Sequence, residues 1–347
     1  MDITREGIAE PLIQPLDRYG RPLTDLRISV TDNCNFRCNY CMPKSQFSDN
    51  HRFLSKKEKL TFDEIVRIAR LSTHLGVTKL RLTGGEPLLE SNIPNLVALL
   101  SILPGITDIA LTTNGVLLSR FAHALKNAGL NRITISLDAL NPALFKQLSG
   151  GRDQLDKVLL GIDAAQSAGL YPIKINTVVQ RHTNYDHVLD ILDYFRYRNI
   201  EVRLIEFMDV GNCNQWKIKN VVPTAELLDR IQTRWPLNNL ARQCAHTVAE
   251  RYAYADGAGT IAFISSISKP FCRDCSRARL SSDGNLYTCL FANKGTALKQ
   301  LLREGITDDA LLSLLHNAWT NRKDRYSELR ANHKIEIPLV EMHYIGG

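Results

Sequence analysis

The sequence predicts an α/β fold built on a parallel sheet, and three observations carry the expectation. Six short β-branched runs recur between about residues 25 and 235, longer amphipathic segments separate them, and polar or glycine-bearing motifs follow the runs at one end. The runs are LRISVT (26–31), KLRLT (79–83), DIALTT (108–113), RITISL (132–137), PIKINTVV (172–179) and VRLIEFM (202–208). Alternation of this kind implies right-handed crossovers between parallel strands. Six units can lie open as a doubly wound sheet or close part of a (β/α) barrel. In both arrangements ligands sit at the carboxyl ends of the strands.

The intervening segments read as helices with legible ends. TFDEIVRIARLSTHLG opens on a Thr61/Glu64 capping box and stops at Gly76. SRFAHALKNAG, DQLDKVLLGIDAAQSAG and NYDHVLDILDYFRYRN have the same form, polar cap first and Gly or Asn last. A cysteine-rich loop follows the first strand, GGEP the second, TTNG the third and SLD the fourth; Lys174 and Asn176 lie in the fifth, and Glu206 and Met208 end the sixth. Beyond Trp235 the pattern changes. VAERYAYADGAGTIAFISS reads as two strands around a Gly-rich turn, RARLSSDGNLYTCLF as a hairpin around Asp283-Gly284, and TALKQLLREG with DDALLSLLHNAWTNR as a helical tail. The expected organisation is an N-terminal extension (1–24), the βα repeat (25–240) and a C-terminal unit (241–347).

Composition narrows the class. With 347 residues, 44% hydrophobic and 23% charged, the chain is an ordinary globular protein. MDITREGIAEP does not read as a signal peptide, and the longest apolar patch, NLVALLSILPGI, is broken by Pro104, so neither secretion nor a membrane span is expected. A cytoplasmic location follows, where clustered cysteines mean metal or catalysis. The net charge of +7 suits a solvated basic surface or a polyanionic partner. Without a Lys/Arg block or a recognition motif, nucleic acid is not the expected partner.

The eight cysteines fall into groups. Cys34, Cys38 and Cys41 form C-x3-C-x2-C after the first strand, Cys272, Cys275 and Cys289 form C-x2-C-x13-C, and Cys213 and Cys244 stand apart as small buried hydrophobes would. Structural zinc closes with four ligands, and neither triplet has a histidine or fourth cysteine at finger spacing. Thiolate-only ligation suits iron–sulfur clusters, and three thiolates on a [4Fe–4S] cluster leave one iron open. The hairpin turn at Asp283-Gly284 brings Cys289 back towards Cys275, so the second triplet also reads as a cluster with an open iron. Arg277 and Arg279, two apart on a strand, share the face beside it and suit a phosphate chain.

The first triplet, with Tyr40 before its third cysteine and GGEP after the second strand, resembles the signature of the radical S-adenosylmethionine (SAM) enzymes. LRISVTDNCNFRCNYCMP, LRLTGGEPL, LTTNG, ISLDAL, EFMDVGNCNQW, the segment from RYAYADGAG to CLFA and the terminal IGG together resemble the GTP 3′,8-cyclase family of molybdenum-cofactor biosynthesis, from about residue 20 to the last glycine. Cys213 departs from that family's pattern.

This resemblance implies an incomplete (β/α)6 barrel, with a second [4Fe–4S] cluster carried by the C-terminal segment. The first cluster binds SAM, with Tyr40, Gly84, Gly85, Glu86, Ser136 and Met208 as expected contacts. GTP is expected between the clusters, against Arg27, Lys79, Arg81, Thr112, Lys174, Arg203, Arg277, Ala278 and Arg279. Gly346 and Gly347, with Arg277 and Arg279, are the expected catalytic group, the glycines entering a space where larger residues clash. The partners implied are a low-potential electron donor, cyclic pyranopterin monophosphate synthase downstream, and a second copy in a homodimer. Two rivals stand beside this reading: another radical SAM enzyme with an auxiliary cluster, such as a peptide-modifying one, and a zinc-dependent nucleic-acid-binding module. The first expects more C-terminal cysteines than three, and the second rests on charge and cysteines alone.

Overall fold

The computed structural model describes residues 14–242, 248–330 and 339–346. Six parallel strands run β1 (Asp25–Ser29), β2 (Lys79–Thr83), β3 (Asp108–Thr113), β4 (Arg132–Ser136), β5 (Ile173–Val179) and β6 (Ile200–Glu206). Between them lie α1 (Phe62–Thr73), α2 (Ile93–Ser101), α3 (Leu118–Asn127), α4 (Pro142–Leu148), α5 (Leu155–Ser167) and α6 (Val188–Phe195). The capping box at α1 is present in both directions: Glu64 N–H donates to Thr61 Oγ1, and Thr61 N–H donates to Glu64 Oε2.

α7 (Thr224–Gln232) follows β6, and then the chain adds β7 (Leu237–Leu240), β8 (Glu250–Tyr254), β9 (Thr260–Ile264), β10 (Arg277–Leu280), β11 (Asn285–Tyr287) and β12 (Thr296–Ala297). These strands continue the same sheet, in the order β12-β11-β10-β1-β2-β3-β4-β5-β6-β9-β8-β7. β10 pairs parallel with β1 and β9 parallel with β6, so C-terminal strands flank both sides of the six-stranded repeat. The fold is an incomplete (β/α)6 barrel. The hairpin at Asp283-Gly284 forms as its turn chemistry requires, with Gly284 at φ +84°. Thr296 and Ala297, expected at the start of a helix, instead pair with β11, because Leu286 and Asn285 leave an edge open there. The tail consists of α8 (Lys299–Arg303), α9 (Asp308–Thr320), α10 (Tyr326–Leu329) and α11 (Met342–Ile345).

Strand periodicity sorts the side chains. Leu26, Ile28, Leu80, Leu82, Ile109, Leu111, Ile133, Ile135, Ile173 and Ile175 face the helices and form the core with Ile65, Ile68, Leu96 and Val158. The alternate positions face the barrel interior and are polar: Arg27, Arg81, Thr112, Thr134, Lys174, Asn176 and Arg203. An interior filled with guanidiniums, amides and hydroxyls is a site, because apolar side chains would otherwise occupy it.

Candidate active site

Three adjoining cavities run through the barrel. The first, about 210 Å³, is lined by Cys34, Cys38, Tyr40, Cys41, Gly84, Gly85, Glu86, Ser136, Asp138 and Met208. The second, about 170 Å³, is lined by Cys272, Cys275, Cys289, Arg27, Arg81, Arg203, Arg277 and Arg279, and shares Thr112, Asn176, Ile205 and Met208 with the first. The third, about 650 Å³, opens at the amino ends of the strands on Lys79, Arg132, Lys174, Glu201 and Arg251, and shares Arg27, Arg81, Arg203 and Arg277 with the second. The two cysteine triplets therefore line separate cavities that meet at Thr112, Asn176, Ile205 and Met208, and a cationic passage joins the second cavity to the third.

The first cysteine loop is held by backbone contacts. Gly85 N–H donates to Thr31 O (2.7 Å) and Glu86 N–H to Asn33 O (2.8 Å). A Cβ on Gly85 would lie 2.2 Å from Asn33 O, and one on Gly84, at φ +154°, would lie 2.5 Å from Thr31 O. The glycines of GGEP are needed for this close approach to the cysteine loop as well as for lining the cavity. Glu86 ties the next strand: its carboxylate accepts from Thr113 Oγ1 (2.7 Å), Asn114 N (2.7 Å) and Leu88 N (3.0 Å), and burial raises its pKa to about 7. Tyr40 donates to Asp138 Oδ2 (2.8 Å), whose other oxygen accepts from Val178 N (2.8 Å), so the SLD aspartate orients the aromatic before the third cysteine.

Each triplet presents free thiols. Burial, then Glu86, pushes the Cys34 thiol up to about 12, and burial raises Cys38 and Cys41 too, each then raised by Cys34. Three half-buried thiols whose ionisation is disfavoured form a donor set that suits a metal's positive charge. Among the described residues no group of three His, Cys, Asp or Glu side chains could hold a metal ion. An iron–sulfur cluster spaces its ligand sulfurs more widely than one ion does, and thiolate-only donors suit it. Beside the second triplet, burial opposes ionisation of Cys275, but Arg277 and Arg322 outweigh it and lower its pKa to about 6.

The cationic passage is set by strand register. Arg279 on β10 lies opposite Arg27 on β1, and Arg27 opposite Arg81 on β2; one pleat earlier, Arg277, Asp25 and Lys79 form a second row. Burial, then Arg277, lowers Arg27 to about 10; burial, then Arg27, lowers Arg81 to about 9; burial and the same neighbours push Arg279 well down. Arg27 Nε and Asn176 Oδ1 are buried without a hydrogen-bond partner among the described residues. Guanidiniums packed side by side, with a donor and an acceptor left over, fit a polyanion carrying a polar ring.

The C-terminal tail enters this space. Gly346, at φ +68°, is buried, and its carbonyl accepts from Arg279 Nη1. A Cβ there would lie 2.0 Å from Thr83 Oγ1. Met342 and His343, from α11, line the first cavity. Gly347 and Cys244 lie outside the described residues.

Among the sequence-derived site residues, Tyr40, Gly84–Glu86, Ser136 and Met208 meet in the first cavity, and Lys79 and Lys174 sit in the third. Thr112 lies where the first two cavities meet. Ala278 lines none of the three; its side chain is buried in the core, on the opposite face from its arginine neighbours. Sequence reasoning missed Thr134, Asp138, Arg132, Glu201, Arg251 and His343. Arg132 was legible as a charge opening the run RITISL, a signal for an inward-facing position, whereas Glu201 falls just before the sixth run and joins the strand only in the structure.

No helix among the described residues is long and apolar enough to cross a membrane. Two family models match in tandem: the radical SAM superfamily over residues 28–195 and Molybdenum Cofactor Synthesis C over residues 200–328. The chain is 54% identical over 331 residues to a GTP 3′,8-cyclase of Xanthomonas campestris pv. campestris (strain 8004), covering 95% of this chain and 97% of that one. It is 51% identical over 325 residues to a GTP 3′,8-cyclase of Acidothermus cellulolyticus, covering 92% and 90%. The solved structure of native anSMEcpe with bound AdoMet and Cp18Cys peptide shares the fold, with a TM-score of 0.55 at 14% identity over 93% of this chain and 94% of that one. With near-full-length identity to such relatives and both cysteine triplets lining its interior, this chain belongs to the GTP 3′,8-cyclase family of the radical SAM superfamily.

Proposed function

We propose that the chain converts GTP into 3′,8-cyclo-7,8-dihydro-GTP, the first step of molybdenum-cofactor biosynthesis, in the cytoplasm. The observation that carries this reading is the row Arg279–Arg27–Arg81, which lies between the second triplet and a polar cavity large enough for a triphosphate.

Cys34, Cys38 and Cys41 would hold one [4Fe–4S] cluster with SAM beside it, and Cys272, Cys275 and Cys289 would hold a second, with the guanine of GTP on that side. When bound, the first cluster and SAM supply a 5′-deoxyadenosyl radical that takes the ribose C3′ hydrogen, so that C3′ can bond to guanine C8. Tyr40, fixed by Asp138, packs beside the SAM site with Ser136 and Met208. Arg27, Arg81, Lys174 and Arg203, with Lys79 at the rim, neutralise the phosphates, and Arg277 and Arg279 hold the end nearer the second triplet. Thr112 accepts from Arg81 Nη1 (3.0 Å) and fixes its fork. Gly346 narrows the space near Arg279 and excludes water from the carbon radical. An electron from a low-potential donor and a proton complete the dihydro product, which cyclic pyranopterin monophosphate synthase then rearranges. The working unit in this reading is a homodimer.

The test is an anaerobic reaction of the iron-loaded protein with SAM, a low-potential reductant and GTP deuterated at ribose C3′. Deuterium in the 5′-deoxyadenosine supports the substrate and the position attacked together. Deuterium-free 5′-deoxyadenosine, formed equally fast without GTP, removes GTP as substrate.

A further inference from the structure

The segment DVGNCNQW (209–216), which follows β6 and contains the unexpected Cys213, contacts the C-terminal chain at two places. Before residue 331, Asp209 accepts from Arg330 Nε (3.0 Å) and from Tyr326 OH (3.1 Å). Tyr326 stacks on Phe291 (4.4 Å), which lines the second cavity. After residue 338, Asn212 brackets the chain: its Oδ1 accepts from Leu339 N (3.0 Å), and its Nδ2 donates to Leu339 O (2.5 Å).

The Glu341 carboxylate is gripped by the same loop. Oε1 accepts from Asn212 N (2.9 Å) and Nδ2 (3.2 Å), and Oε2 accepts from the Cys213 thiol (2.9 Å). A Cβ on Gly211, at φ +75°, would lie 2.2 Å from Glu341 Oε2, so only glycine admits the carboxylate. Glu341 also begins α11, whose single turn ends at Gly346. Its grip therefore sets where that turn delivers the Gly346 carbonyl relative to Arg279.

We propose that the loop Asp209–Cys213 is a two-point clasp for the C-terminal chain, and that Glu341 is the positioning residue that presents Gly346 to Arg279. The inference deepens the reading of Gly346 under Proposed function and rests on it. It gives Cys213 a place as a thiol donor to Glu341. It also accounts for the polar GNC run in the loop that follows a barrel strand.

The test uses the iron-loaded full-length chain with Glu341→Ala, Glu341→Gln, Gly346→Ala and the Glu341→Ala/Gly346→Ala pair. Amide hydrogen exchange across residues 339–346 is read by mass spectrometry, and GTP cyclisation is measured on the same preparations. Glu341→Ala is expected to speed exchange of the tail by about tenfold or more and to slow cyclisation by about 10- to 100-fold. Iron content and SAM binding stay at wild-type levels. Glu341→Gln, which keeps an oxygen for Asn212, recovers most of both losses, and the paired variant cyclises no more slowly than Gly346→Ala alone. Wild-type exchange and cyclisation in Glu341→Ala would overturn the clasp, as would iron loss in parallel with activity. A wild-type protein that takes no deuterium from C3′ would instead overturn the substrate reading, while the exchange arm still judges the clasp.

Discussion

Arg279 donates a hydrogen bond from Nη1 to the carbonyl oxygen of Gly346, joining β10, beside the second cysteine triplet, to the last described residue of the chain. The contact places backbone with no side chain against Thr83, a wall of the first cavity.

Gly346→Ala is expected to lower cyclisation by at least about 100-fold, a misplacement effect of the size seen when reacting groups shift by about 1 Å. A left-handed φ at a residue with a Cβ costs about 1–2 kcal/mol, and the new Cβ would also collide with Thr83 Oγ1. Iron content and ultraviolet–visible absorption should match the wild type. Activity within twofold of wild type would show that the tail need not occupy this position.

Lys174 is expected to give cyclisation a pH dependence. Burial, then Arg203, lowers its pKa to about 7, and Glu201 opposes the shift from 3.7 Å. Glu201 also accepts from Arg203 Nε (2.8 Å) and Arg251 Nε (2.7 Å). Below about 7 the ammonium is charged and, on the proposed reading, would attract the triphosphate; above it the amine is neutral and that attraction would be lost. KM for GTP should therefore rise between about pH 6 and pH 8 while kcat changes less, because bound phosphate holds the proton on. Glu201→Gln removes the opposing charge and should move the rise to lower pH. Steady-state kinetics across this range decides it.

The two thiol triplets should load independently, being in separate cavities. Cys272→Ala or Cys289→Ala is expected to reduce iron from about eight atoms per chain to about four, as is Cys38→Ala. Only the second-triplet variants should retain SAM cleavage by the reduced protein. Iron and sulfide analysis, with 5′-deoxyadenosine counted by mass spectrometry, checks both halves.

Asp17 supports the second triplet from outside the cavity. Its buried carboxylate pairs with Arg21 Nε (2.6 Å) and Arg322 Nη1 (3.2 Å). Arg21 donates to Cys272 O (2.6 Å) and Arg322 to Cys275 O (2.7 Å). Asp17→Ala leaves the buried Arg21 without its carboxylate and Arg322 with only the longer pair to Asp324 (3.7 Å), and is expected to cost about 3–5 kcal/mol. Urea unfolding should show it as a lower midpoint, and iron at the second triplet should leave first on exposure to a chelator.

What the sequence determined by itself was local or periodic. The βα alternation, the capping box at Thr61 and Glu64, the Asp283-Gly284 turn and both cysteine spacings were legible there. Each depends on residues a few positions apart, where steric preference, period and ligand spacing act directly. The glycines of GGEP were legible as special, but their nearest neighbours proved to be the backbone of the cysteine loop.

Only the tertiary structure decided where the distant parts meet. The sequence does not state that β10 lies parallel to β1, with Arg277 opposite Asp25, yet this register brings the second triplet beside the guanidinium row. Nor does it show that Asp17 reaches Arg322 or that Glu341 reaches Cys213. Such pairings follow from chain closure over long loops and the packing of a whole sheet, which no short window of residues encodes. The same holds for Ala278, which lies between two cavity arginines in sequence but faces the core in space. In a strand, successive side chains point to opposite faces, and the assembled barrel decides which face lines the site.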